Sequence, residues 1–121
     1  VPLVEFSEII KQSDFISIHV PKQNNGTAVI AENEFCQMKD GVIIINAARG
    51  GVVEELDLLK AIESGKIGGI ALDVFENEPT PNPSLLSNEK LSLSPHIGAA
   101  TTEAQDRIGV ELADQIMKLL K

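Results

Sequence analysis

Four short apolar runs, separated by segments of helical spacing, constrain this chain more than any other feature. The run 14–20 (Asp-Phe-Ile-Ser-Ile-His-Val) stops at Pro21, and Val42-Ile43-Ile44-Ile45-Asn46 follows Gly41. Gly69 to Phe75 and Leu91 to Leu93 complete the set. Runs of this length read as strands, and the unbroken one at 42–46 reads as a strand buried on both faces. Leu3, Phe6, Ile9 and Ile10 place a helix over 3–12, and 31–39 reads as a short helix closed by Asp40-Gly41. Residues 54–64 form a third helix with Leu56, Leu59 and Ile62 on one side and Gly65 at its C-terminal cap. Pro79-Thr80-Pro81-Asn82-Pro83 cannot join a ladder and is expected to be loop. Thr102 with Gln105 fits a capping box for a helix reaching the chain end, with Ile108, Leu112, Ile116 and Leu120 every four residues. Alternating strand and helix implies an α/β fold, an open parallel sheet joined by helical crossovers.

Length and composition narrow the function. A chain of 121 residues, 43% hydrophobic and 23% charged, suits one globular domain. With four Phe and no Trp or Tyr, its core must rest on aliphatic side chains. A net charge of −8 and scattered Lys and Arg argue against a nucleic-acid partner. Cys36 is the only cysteine, which excludes an intrachain disulfide and a zinc cluster and leaves no metal site to propose. Within its helical segment it reads as a small buried hydrophobe. No stretch suits a membrane span and no charged-then-apolar leader opens the chain, so a cytoplasmic location is expected.

In an open parallel sheet, ligands sit in the crevice at the carboxyl ends of the strands. Arg49 lies just past the second run, in the small-residue turn Ala47-Ala48-Arg49-Gly50-Gly51. A guanidinium there can grip a carboxylate with two parallel hydrogen bonds, although position alone favours a solvated surface Arg. Glu78 follows the third run and His96 the fourth. A carboxylate bonded to one imidazole nitrogen fixes the tautomer and leaves the other nitrogen free to exchange a proton. Spacing alone does not establish that the two meet. Asp73 lies inside an apolar run, where an unpaired carboxylate is costly, so it is expected to bond a helix N-terminus or a ligand. His19, at the end of the first run, suits either a ligand-facing or a packing role. Gly98-Ala99-Ala100 precedes a helix and offers backbone contacts to an anion or amide. The chain has no G-x-G-x-x-G, P-loop, H-E-x-x-H or G-x-S-x-G motif.

Four ordered strings carry a more specific signal. Met38-Lys39-Asp40-Gly41, 45–53 (Ile-Asn-Ala-Ala-Arg-Gly-Gly-Val-Val), 72–79 (Leu-Asp-Val-Phe-Glu-Asn-Glu-Pro) and 94–101 (Ser-Pro-His-Ile-Gly-Ala-Ala-Thr) together resemble the NAD-dependent D-2-hydroxyacid dehydrogenases. Ser13 to Pro21 matches as well, so the resemblance spans nearly the whole chain. Within the family, the likeness is strongest to the branch that opens the phosphorylated route to serine. The resemblance implies a Rossmann-like fold, NAD as cofactor, and a 2-hydroxy or 2-keto acid as substrate.

It also assigns roles. Arg49 would bind the substrate's carboxylate or carbonyl, His96 would exchange the proton at the reacting oxygen, and Glu78 would orient and charge His96. Asp73 would bind the nicotinamide carboxamide, bordered by Ala47, Ala48, Arg49, His96, Gly98 and Ala99. His19, Val20 and Pro21 would line the adenosine side. Family members carry a glycine-rich loop, an acidic ribose contact and a substrate domain upstream of these strings. Residues 1–121 are therefore expected to be the second half of a dinucleotide-binding domain, with 101–121 the helix leading back toward a substrate domain. The half-sheet exposes a strand edge and apolar surface that the first half would cover. The isolated chain is therefore expected to self-associate or to be an ordered piece of a larger protein, and the family resemblance implies a homo-oligomer. Competing readings are a corepressor-like NAD-binding module, an inactive structural fragment, and the related formate dehydrogenases, in which a glutamine resembles the position of Glu78.

Overall fold

Aliphatic β-branched residues dominate the central strands, and a computed structural model of the chain, describing residues 2–120, places them in one parallel sheet. The elements run α1 (Phe6–Gln12), β1 (Phe15–Ile18), α2 (Glu32–Gln37), β2 (Val42–Asn46), α3 (Glu55–Glu63), β3 (Ile67–Leu72), α4 (Pro83–Leu86), β4 (Leu91–Leu93) and α5 (Thr102–Leu119). The four strands lie in sequence order, every neighbouring pair parallel. The α/β expectation holds.

Register explains where the core sits. Ile16, Ile44, Ile70 and Leu91 align across the sheet, and Ile18, Asn46, Leu72 and Leu93 align two residues further on. Side chains alternate between faces along a strand, so these residues share one face. On that face Ile16, Ile18, Ile44, Ile70 and Leu72 are buried together with Ile10, Phe35, Met38, Leu58, Ile62 and Leu85 from the helical layer. The opposite face is open: Phe15 is 68% exposed and Ile45 39% exposed. The expectation that β2 is buried on both faces is thus corrected, because all the helices packed on the core lie on one side.

Local chemistry moved several boundaries. α1 begins at Phe6, leaving Leu3 and Val4 exposed before it. α3 buries Glu55, Leu58, Ala61 and Ile62, while Leu56 faces solvent. The i, i+4 pair Leu58–Ile62, rather than the stripe through Leu56, meets the sheet. Cys36 is exposed, a second correction: in the short α2 the core positions go to Phe35 and to Met38 just beyond it. β3 starts earlier and leaves the ladder at Leu72, although Val74 and Phe75 stay buried. A helical turn, α4, forms at the end of the expected loop, where the Asn82 side chain accepts from Ser84 N and Pro83 opens the turn.

The α5 cap is Thr101, one residue before the expected Thr102; its hydroxyl oxygen accepts from Ala104 N at 3.2 Å. Gln105 is diverted to the Ala99 carbonyl at 2.7 Å. α5 buries none of its described side chains, and Ile108, Leu112, Ile116 and Leu120 are all exposed. The expected last residue of that helix, Lys121, lies outside the described residues.

Candidate active site

The carboxyl end of the sheet gathers two groups of residues. Where β1 and β2 end, His19, Val20, Pro21, Ala47, Ala48 and Arg49 line a cavity of 360 Å³. Beside it, a cavity of 320 Å³ is lined by Ala47, Asp73 and Ser94 together with strand residues of β2, β3 and β4. Ala47 borders both, so the two adjoin at that residue. Its small side chain leaves the backbone accessible to a flat ligand.

Asn46 shapes the Arg49 turn. Buried at the end of β2, its Oδ1 accepts from Ala48 N at 3.1 Å and its Nδ2 donates to the Arg49 carbonyl at 3.2 Å. One Arg49 nitrogen, Nη1, donates to the Ala48 carbonyl at 2.7 Å, and the side chain is exposed. Among the described residues Arg49 makes no ion pair, so its charge is available to a ligand. His19 is held by Ser17, Oγ to Nε2, at 2.8 Å.

Glu78 and His96 meet. His96 Nδ1 lies 2.6 Å from Glu78 Oε2. An ionised carboxylate only accepts, so Nδ1 carries the proton and Nε2 is left as the free nitrogen. Glu78 Oε1 is occupied as well, accepting from Phe75 N at 3.0 Å. The bond to His96, followed by the Phe75 N–H, holds the Glu78 carboxyl below the usual carboxylate range.

Asp73 is the anchor of the His96 turn. Its Oδ1 accepts from Ser94 Oγ at 2.6 Å and Ile97 N at 3.0 Å, and its Oδ2 from Gly98 N at 2.9 Å. Burial pushes this carboxyl up, but the three hydrogen bonds and the His96 charge outweigh it and hold the group below its ordinary range. The carboxylate thus bonds Ser94 and the 97–98 turn, and not the N-terminus of α5, which begins at Thr102. A carboxylate offers about four lone-pair sites, so acceptor capacity remains for one more donor. His96 itself sits at φ 55, a backbone conformation uncommon outside glycine, and its N–H donates to the Ser94 carbonyl at 3.0 Å. Gly98 N is committed to Asp73 and is not free for a ligand, while the Ala99 carbonyl accepts from Gln105 Nε2.

Sequence reasoning passed over Asn46, Ser94 and Glu55 as site residues. Asn46 ends an apolar run on the covered face, a burial signal for a polar residue with a fixed partner. Glu55 is more unexpected: it opens α3, is 6% exposed, and accepts from Glu76 N at 2.7 Å. Burial pushes its carboxyl up, only partly opposed by that hydrogen bond, and the charges of Glu76 and Glu54 add to the rise.

Comparison with known proteins gives this geometry a context. Residues 1–98 match the family model described as D-isomer specific 2-hydroxyacid dehydrogenase, NAD binding domain. The chain is 43% identical to D-3-phosphoglycerate dehydrogenase of Archaeoglobus fulgidus, covering 100% of this chain and 23% of that protein. It is 45% identical to hydroxypyruvate reductase of Thermotoga maritima, covering 99% of this chain and 40% of that protein. Among solved structures, a glyoxylate reductase from Paecilomyes thermophila superposes with a TM-score of 0.81 at 43% identity, over 88% of this chain and 33% of that one. D-lactate dehydrogenase from Aquifex aeolicus, complexed with NAD and lactic acid, gives 0.76 at 32% identity, over 97% of this chain and 40% of that one.

Proposed function

Because the chain belongs to the D-isomer-specific 2-hydroxyacid dehydrogenases through their NAD-binding domain, we propose that it is the catalytic half of that domain in an enzyme interconverting a D-2-hydroxy acid and its 2-keto acid. The observation that carries this reading is the Glu78–His96 pair at 2.6 Å, at the sheet edge that also carries Arg49. NAD is the family's cofactor, and the residues here fit its nicotinamide end. Ala47 and Ala48 leave room for a flat ring, and Asp73 retains acceptor capacity for an amide N–H.

When bound, NAD supplies the hydride acceptor or donor. The rest falls to this chain. Arg49 binds the substrate's carboxylate or carbonyl and fixes the reacting carbon near the ring. In oxidation, neutral His96 takes the hydroxyl proton at Nε2 and becomes an imidazolium bonded to Glu78. In reduction, the imidazolium returns that proton to the carbonyl oxygen. Glu78 stays ionised throughout and stabilises the charged ring, so it favours the form that reduction needs. His19, Val20 and Pro21 border the adenosine side.

The substrate we assign is 3-phosphoglycerate, at the entry to serine biosynthesis, supported by the likeness to D-3-phosphoglycerate dehydrogenase over the whole chain. A cytoplasmic, homo-oligomeric enzyme goes with this reading. The test is NADH consumption by the full-length protein with 3-phosphohydroxypyruvate, hydroxypyruvate and glyoxylate. Highest kcat/KM on the phosphorylated acid is expected. A preference for hydroxypyruvate or glyoxylate would reassign the substrate within the family, and no turnover on any 2-keto acid would contradict the enzymatic reading.

A further inference from the structure

Glu55 is buried without a counter-ion: among the described residues it enters no ion pair, and its neighbours Glu54 and Glu76 are themselves acidic. A carboxylate in such a place costs stability unless a specific hydrogen bond compensates. Here the bond is to Glu76 N, at 2.7 Å. The next N–H back along the chain, that of Phe75, goes to Glu78 Oε1 at 3.0 Å. Two adjacent peptide N–H groups are therefore claimed by two different glutamates, one from α3 and one from the loop itself. The second of these holds His96 through its other oxygen at 2.6 Å.

The same loop is pressed against the Arg49 turn. A Cβ on Gly50 would lie 1.7 Å from the Phe75 carbonyl oxygen, so the two backbones touch where only glycine fits. Gly50 and Glu55 grip residues 75 and 76 from the same segment, which also carries Arg49. The loop's freedom to drift is what would spoil the placement of Glu78.

We propose that Glu55 is a positioning residue, holding the 75–78 loop against the Arg49-bearing segment so that Glu78 meets His96. Its action is through the length of its side chain and its acceptor oxygen, not through its charge. This rests on the reading of Glu78 and His96 as the acid–base pair.

The test compares Glu55→Gln, which keeps the reach and an acceptor, with Glu55→Asp, which keeps the charge and loses the reach, in the full-length protein. Two readouts are used: kcat against KM for the keto acid and NADH, and the titration of the Glu78 carboxyl followed by carbon NMR. Glu55→Asp is expected to lower kcat by at least about tenfold, since a misplacement of ~1 Å at a reacting group costs about a hundredfold. The KM for NADH should stay near wild type, and the Glu78 carboxyl should titrate at higher pH as its two partners drift. Glu55→Gln should restore both readouts to wild type. A charge or helix-terminus role would give the opposite ranking, Asp tolerated and Gln damaging, and would overturn the proposal. So would an unchanged Glu78 titration in Glu55→Asp. If His96→Asn kept turnover, the acid–base reading would fail instead, while the Glu78 titration would still report whether Glu55 positions the loop.

Discussion

His96 is held by a trade between backbone strain and hydrogen bonds. Its φ of 55 is unfavourable, and the Asp73 carboxylate offsets it by binding Ser94, Ile97 and Gly98 on either side. Asp73→Asn is expected to destabilise the protein by about 1–3 kcal/mol near pH 7, because the amide leaves donors of the turn facing its own N–H₂. The pH dependence has a definite sign. The folded Asp73 carboxyl lies below its ordinary value of 3.8. Its contribution is therefore complete above that value and is lost as pH falls through the lower, folded one. Tm measured against pH should show wild type and variant converging only in strong acid. Glu78→Gln should slow turnover in both directions, since the imidazolium bonded to the carboxylate is the starting form in reduction and the product form in oxidation; comparing kcat in the two directions checks this. The trio Arg49, Glu78 and His96 was legible because each follows an apolar run in the sequence. That Glu78 meets His96 was legible through the family resemblance and not from spacing, because the intervening loop, turn and strand set the approach. Ser94 escaped notice because a hydroxyl near a strand end has many ordinary explanations.

At the scale of elements, turns and loops matter more than strands. β2 and β4 were readable to the residue from apolar runs bounded by other chemistry, whereas the end of β3 was not. Residues 73–75 continue the apolar pattern, yet the chain leaves the ladder there so that Asp73 can turn toward 94–98 and Phe75 can meet Gly50. The buried stripe of α3 was misread because Ile62 belongs both to the Leu56–Leu59 stripe and to the Glu55–Leu58 one. Contact with the sheet, absent from any local pattern, decides between them. Gly50→Ala should cost about 1–3 kcal/mol or more through overpacking against the Phe75 carbonyl, read as a lower Tm. It should lower kcat as well, since the displaced loop carries Glu78.

The molecule as a whole is a sheet with one covered and one open face, plus an amphipathic helix, α5, that buries nothing within the described chain. Phe15 and Ile45 stand on the open face, and Ile108, Leu112 and Ile116 form a stripe on α5. Exposed apolar surface of this kind associates in water. Residues 1–121 as a separate polypeptide should therefore self-associate in sedimentation experiments, and Phe15→Lys with Ile45→Lys should shift it toward monomer. The fold class and the sheet's polarity were legible from the alternation of runs. The uncovered face was not legible from β2 alone, because a run of isoleucines looks the same whether one face or both are buried.

The acid–base role of His96 is most directly tested by His96→Asn in the full-length protein, with NADH affinity measured by cofactor fluorescence beside turnover. Loss of turnover by about a hundred- to ten-thousand-fold, with NADH binding nearly intact, is the predicted result. Retained turnover, or lost NADH affinity, would contradict it.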